Sequence, residues 1–220
     1  MSLLGCLVSI SLAIALMAPV MQSSAALLIK QSQLEKAWLV EQDAIRVLEL
    51  MARAIRMAGF RKITSLADYR QRQSQSQSIS KVDTIGLEYR GGWNHSDLLW
   101  IKHEPADSVE GDCLGNRVEQ VKNGSAQSRT KKGLRHQGFL VQKAVGEDTA
   151  SLICTSLDRQ GRLQNTSLMN HIDSLHFTWV EHKIEQGQLP DLATKGVQIV
   201  LKTTLTEREF SRFVALRNLP

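Results

Sequence analysis

The sequence predicts an α+β fold in which one long N-terminal helix packs on an antiparallel β-sheet. The chain opens on a segment, from Leu3 to Ile29, that contains no charged side chain. Apolar residues then recur at helical spacing for a further 30 residues or so. The remainder shows short segments of alternating apolar and polar residues, which are typical of strands. A helix followed by a run of strands is characteristic of the α+β class.

Residues 1–29 are predicted to form a membrane-spanning half of the helix. The apolar core, LLGCLVSISLAIALMAPV, is close to the ~20 residues that a helix needs to cross a bilayer. Only Met1 and Ser2 precede it, so the basic n-region of a secretory signal is missing. We therefore expect a retained single-pass anchor. Pro19 should kink or locally melt this helix, because proline removes a backbone donor.

Residues 30–60 are predicted to continue the helix as an amphipathic half. Apolar residues recur at steps of three and four, which gives a stripe wide enough to bury. Gly59 is expected to end the helix, because glycine adopts the left-handed capping conformation without steric cost. The stripe consists of Leu34, Ala37, Ala44, Leu48, Met51, Ile55 and Ala58.

Residues 61–220 are predicted to form one globular, β-rich domain. A polar stretch at 71–80, QRQSQSQSIS, is interpreted as a surface loop. The clearest strand is SLHFTWVEH, in which Leu175, Phe177 and Trp179 should face inward. Strands are predicted at 84–89, 97–102, 138–145, 150–157, 174–182, 197–205 and 212–218.

The chain is mildly basic, and its net charge does not exclude any class of binding partner. The formal net charge of +5 is too small to argue for nucleic acid or an anionic surface. The densest group of cations is interpreted first as a solvated loop between strands, and second as a patch for DNA or another ligand. It contains Arg129, Lys131, Lys132 and Arg135.

The three cysteines fall into two kinds. Cys6 lies in the apolar helix, where it acts as a small hydrophobic residue. Cys113 and Cys154 lie in the strand-rich part, and we favour a disulfide between them over two reduced core cysteines. Such a bond would close a loop of about 40 residues, which corresponds to roughly 4 kcal/mol in the chain-entropy model.

The sequence predicts neither a catalytic residue nor a cofactor or metal site, so we expect a protein that is not an enzyme. It contains no nucleophile elbow, P-loop, dinucleotide fingerprint or H-E-x-x-H motif. His171, His176 and His182 lie close together in sequence, but alternation places the first two on opposite faces of a strand. Asp112 adjoins Cys113 without a histidine that could act as its base.

Several segments resemble the type IV pilin and pseudopilin superfamily. The start, MSLLGCLVSISLAIAL, is similar to the mature pilin pattern F-[ST]-L-[IL]-E-x-[LM]-[VI], with Met1 in place of the processed, N-methylated residue. LELMARAIRMAGF (48–60) resembles the end of the first helix in PilW-like minor pilins. DCLG (112–115) and LIC (152–154) resemble that family's paired cysteine segments, and VALRN (214–218) its last strand.

The resemblance implies a type IV pilin fold and a role in initiating pilus assembly, at or near the filament tip. It implies a single-pass inner-membrane protein with a periplasmic domain. Its partners would be other minor pilins, the major pilin and the inner-membrane assembly platform, with DNA or a surface ligand at the tip. Leu48, Met51 and Ile55 would hold the helix on its own sheet. The alternatives are a J-type pseudopilin of type II secretion, or a tip module that binds DNA in competence or a surface in adhesion.

Two departures from the family pattern bear on assembly. No leader with a glycine precedes Met1, so either the sequence is a processed form or the chain is not processed. Gly5 stands where the family has a glutamate, whose carboxylate is thought to meet the N-terminal ammonium of a neighbouring subunit. A subunit without that carboxylate carries no charge that requires a neighbour ahead of it, and so it can sit first in the filament. The alternative is that Gly5 is a changed or drifted residue.

Overall fold

The computed structural model describes residues 3–62, 65, 84–105, 111–117, 129–131, 133–183, 193–206 and 208–217. The chain forms two compact units, Met1–Gln42 and Asp43–Pro220.

One long helix, α1, spans Leu3–Met57. It remains helical through Pro19, so of the two predicted effects, a kink or local melting, the melting does not occur. It ends where the sequence predicts, because Gly59 adopts a left-handed φ of 74°. The Phe60 amide then donates to the Met57 carbonyl oxygen at 2.9 Å, which satisfies one of the last carbonyls of the helix.

Among the described residues, no helix is both long and apolar enough to cross a membrane. This finding contradicts the predicted transmembrane half over residues 1–29 and the single-pass inner-membrane location that followed from it. Polar side chains interrupt this part of α1, at Ser11 and Gln22 for example. Each of them reduces the free energy gained by moving a helix from water into hydrocarbon.

The second unit contains a seven-stranded antiparallel sheet in which every strand pairs with the next one in sequence. A short 3₁₀ turn at Trp93–His95 connects the first two strands. The strands are β1 Ile85–Glu88, β2 Leu98–His103, β3 Arg135–Gln142, β4 Ala150–Leu157, β5 Leu163–Lys183, β6 Ala193–Thr203 and β7 Glu209–Ala215.

This sheet corrects the predicted fold class. The α+β type IV pilin fold was expected, but the sheet dominates the described structure and is larger than that fold requires. Much of the excess comes from β5, which has 21 residues. Its first part pairs with β4 and its second part with β6, so one strand holds both halves of the sheet together.

The core of the second unit combines the end of α1 with one face of the sheet. Met51 and Ile55 are fully buried, as are Leu99 and Phe139 of the sheet. Two backbone bonds tie the chain beyond the helix to β2 and its exit: Gly59 N donates to Lys102 O at 3.2 Å, and Glu104 N donates to Phe60 O at 2.9 Å. The position of the helix end relative to the sheet is therefore fixed by backbone pairing as well as by burial.

The inward pattern predicted for β5 is correct for two of its three residues. Leu175 and Phe177 are buried, whereas Trp179 is 43% exposed. The β4–β5 pairing ends at Ile172. Beyond it, Asp97 bonds the backbone of β5 at Leu175 and at Phe177, and Trp179 lies two residues further along the strand.

Candidate functional site

The first unit carries an exposed apolar surface along α1, which we call the apolar helix surface. It contains no charged residue before Lys30. Large exposed apolar patches mark interaction sites. The large side chains that define it are each 56–71% exposed, and they are Leu7, Val8, Ile10, Leu12, Met17, Met21, Leu27, Leu28, Ile29, Leu34, Trp38 and Leu39.

The predicted packing stripe divides between the two units. Leu48, Met51 and Ile55, which the sequence nominated for packing, are 5%, 0% and 0% exposed. Leu34, in contrast, is 65% exposed and belongs to the apolar helix surface. The buried stripe therefore begins later along the helix than its periodicity suggested.

The structure joins Cys113 to Cys154 by a disulfide, with the two Cα atoms 6.3 Å apart. Both cysteines are buried. The adjoining carboxylate of Asp112 fixes the same loop, because it accepts bonds from the amides of Leu114 and Asn116 at 2.9 and 2.8 Å. Its other oxygen accepts from the Ser156 hydroxyl at 2.6 Å, so Asp112 has a structural role beside the disulfide.

The predicted cationic patch is not assembled at one surface. Arg135 lies in β3 and is only 1% exposed, so it cannot offer its charge to a ligand at the surface. Lys131 is exposed and Arg129 is half-buried. Lys132 lies outside the described residues. A linear cluster of charges does not specify which of its members a strand turns inward, and here β3 turns Arg135 into the core.

Of the two residues that bear on assembly position, Met1 lies outside the described residues. Gly5 is exposed within α1. Its placement in the helix is compatible with either interpretation of the missing glutamate, because that argument concerns a neighbouring subunit.

The histidines do not converge. His176 Nδ1 lies 3.5 Å from the buried Asp97 carboxylate, whereas His171 occupies an irregular position with φ 63°. The side chain of His182 lies outside the described part. Within the described ranges, no group of three or more histidine, cysteine, aspartate or glutamate residues could hold a metal ion.

The sequence did not indicate two groups of residues that the structure brings together. One is Asp97 with the backbone of β5. The other is a cavity in the second unit, lined by Arg46 and Arg53 of α1 and by Gln137 of β3. The spacing of the arginines is visible in the sequence, but their position against β3 depends on the tertiary fold.

No protein-family model, curated protein or solved structure matches this chain. The likeness to type IV pilins therefore depends on the sequence segments alone.

Proposed function

We propose that this chain is a minor pilin that takes part in initiating type IV pilus assembly and that it packs with neighbouring subunits through the apolar helix surface. The observation that carries the proposal is the exposure of large apolar side chains along the first unit, for example 67% at both Leu27 and Leu28. Covering such a surface gains about 25 cal/mol for each Å² of apolar area removed from water. The proposal concerns packing between helices and does not require a membrane span.

The partners in this proposal are other minor pilins, the major pilin and the assembly platform. The second unit, closed by its disulfide, would be the part that remains outside the helical contact. A tip module for DNA is less favoured, because Arg135 of the expected basic patch is buried. A J-type pseudopilin would use the same helical contact, and no observation of the described residues favours it.

The first test replaces apolar side chains of α1 in the bacterium that encodes the protein. A deletion strain is complemented with the wild-type chain, with Leu27→Asp/Leu28→Asp, or with Ser32→Asp/Gln33→Asp. All four positions are exposed on α1, and both pairs add the same charge. We expect the leucine pair to reduce surface pili at least tenfold, because each buried carboxylate costs several kcal/mol, and we expect the control pair to restore them.

Pili are counted by electron microscopy and by immunoblotting of sheared major pilin, with the level of this chain measured in the same cells. Normal piliation in the deletion strain would reject the role in assembly. Normal piliation with the leucine pair, at wild-type protein level, would reject the apolar helix surface as the contact.

The tip position makes a separate prediction. We propose that Gly5 allows this subunit to sit first, because it lacks a carboxylate that requires an ammonium ahead of it. Gly5→Glu should then alter pilus number at least severalfold without changing the level of the chain, whereas Gly5→Ala should not. Equal pilus counts for the wild type, Gly5→Glu and Gly5→Ala would show that Gly5 does not determine the position of this subunit in the filament. That result would not affect the proposed contact through the apolar helix surface.

A further inference from the structure

A cavity of about 350 Å³ lies within the second unit. Its lining comes from the last part of α1, from the end of β2, from the start of β3 and from the loop that carries Cys113. Its volume falls within the range of small-molecule pockets, which is roughly 300–1,000 Å³. Leu50, Ala54 and Met57 give it apolar walls.

Two arginines of α1 line this cavity. Arg46 and Arg53 are two helical turns apart, and therefore lie on the same face of α1, separated by about 10 Å along its axis. Both are exposed. The guanidinium group of neither residue forms a hydrogen bond or an ion pair with another described residue, whereas Arg56, Arg61 and Arg212 all pair with glutamates.

A glutamine lines the same cavity. Gln137 is only 5% exposed as a whole residue. Its side chain has no hydrogen-bond partner among the residues that the structure describes. Its amide atoms are not among the buried side-chain atoms without a partner, so they can be reached from the cavity. A ligand that enters the cavity can therefore bond to this amide.

The lining also contains one carboxylate, that of Asp112. It accepts bonds from two backbone amides and from the Ser156 hydroxyl, which hold it in place but leave its charge. His103 is buried at the end of β2. The cavity therefore combines apolar walls, the side-chain amide of Gln137, and two guanidinium groups that outnumber the one carboxylate and form no ion pair with any described residue.

We propose that this cavity binds a carboxylate carried on an apolar body. Guanidinium groups match carboxylates with two parallel hydrogen bonds, and charge-assisted bonds of this kind are the strong ones. The Gln137 amide would bond to the same ligand, while Leu50 and Met57 would contact its apolar part. The carboxylate can belong to a free organic acid or to an acidic side chain of an apolar peptide. This site is independent of the proposed role in pilus assembly.

The test measures binding to the full-length chain by calorimetry and by NMR of side-chain amides. The probes are octanoate and acetyl-Leu-Glu-Leu-amide, and their uncharged counterparts are 1-octanol and acetyl-Leu-Gln-Leu-amide. The signal of Gln137, assigned with Gln137→Met, should shift with a charged probe and not with its counterpart. Arg46→Gln/Arg53→Gln should weaken binding at least tenfold, because it removes the charge-assisted bonds.

Arg217→Gln is the matched control, because Arg217 is also exposed but does not line the cavity. Arg217→Gln should bind the charged probes with the same affinity as the wild-type chain, and all variants should have the same melting temperature. Tighter binding of the peptide would identify a peptide side chain as the source of the carboxylate, and tighter binding of octanoate a free acid. Equal affinities in the double variant and in Arg217→Gln, or a Gln137 signal that no probe moves, would overturn the proposal.

Discussion

Replacing Cys113 and Cys154 together by alanine is expected to lower the free energy of unfolding by about 4 kcal/mol. The two cysteines are 41 residues apart in sequence, and their bond joins the loop after β2 to the middle of β4. Cross-linking a loop of this length removes conformational entropy chiefly from the unfolded chain. Because folded domains are stable by only about 5–15 kcal/mol, the loss would be a large fraction of the total.

The measurement is urea denaturation of the full-length chain, followed by near-ultraviolet circular dichroism. Reduction of the wild-type protein with dithiothreitol should shift its midpoint to that of the double alanine variant. The single variant Cys113→Ala should behave in the same way, because it also lacks the bond. A midpoint that is the same for the oxidised wild type and the double variant would show that the disulfide contributes no stability.

The strands that the sequence predicted well carry a burial signal of their own. β2, predicted at 97–102 and observed at Leu98–His103, alternates between half-buried and buried positions. β4 has the predicted bounds, 150–157, and is buried at most positions, with Leu152 and Cys154 fully buried. The end of α1 was predictable for a similarly local reason, since Gly59 is the residue that adopts the left-handed conformation. Local sequence decides these features because a single residue or one face of a single element accounts for them.

The opening of β5, residues 163–167, was missed because its sequence carries no alternation of buried and exposed side chains. Leu163 is 72% exposed, and Asn165, Thr166 and Ser167 are exposed as well. The backbone of this segment is nevertheless paired with β4 residue by residue. Backbone hydrogen bonds do not depend on side-chain polarity. A strand that is exposed to solvent on both faces therefore shows no alternation of apolar and polar residues in the sequence.

Side chains whose role depends on distant partners were also beyond the sequence. Arg135 was grouped with Arg129 and Lys131 by proximity in the chain, yet only its place in β3 makes it buried. Arg46 and Arg53 lie between the apolar residues of an amphipathic helix, where the sequence alone predicts no more than solvent exposure. Their position on a cavity depends on Gln137, which is 84 residues further along the chain than Arg53 and is brought there by the sheet.

Asp97 is the second position at which we expect a large effect: Asp97→Ala should lower the free energy of unfolding by about 3 kcal/mol. The residue is 5% exposed and lies beside the central part of β5. One carboxylate oxygen accepts from the Phe177 amide at 3.0 Å, and the other accepts from the Arg90 amide at 3.0 Å. Alanine would leave both backbone donors without an acceptor, and the loss at the buried Phe177 amide costs about 1–3 kcal/mol, with a smaller cost at the partly buried bond from Arg90.

Losing the Asp97 carboxylate should destabilise the protein more than losing two isolated hydrogen bonds, because Asp97 lies where β5 has no neighbouring strand on one side. The β4–β5 pairing ends at Ile172. From there the backbone amide of Asp97 donates to the Leu175 carbonyl at 2.8 Å, and the Leu175 amide donates to the Ser96 hydroxyl at 3.2 Å. Ser96 and Asp97 thus replace a strand at this edge, and loss of the carboxylate should loosen the whole segment.

Asp97→Asn separates the contributions of the two carboxylate oxygens as hydrogen-bond acceptors. It retains one carbonyl oxygen as an acceptor but presents an NH₂ group to the second amide, so its unfolding free energy should lie between those of the wild type and Asp97→Ala. Asp148→Ala, at an exposed loop position, is the control and should stay within about 0.5 kcal/mol of wild type. Hydrogen exchange locates the effect: the amides of Arg90 and Phe177 should exchange faster in Asp97→Ala than in the control. If they do not, the carboxylate is not what protects this edge of β5, and the bonds made by the Ser96 hydroxyl and the Asp97 backbone amide suffice.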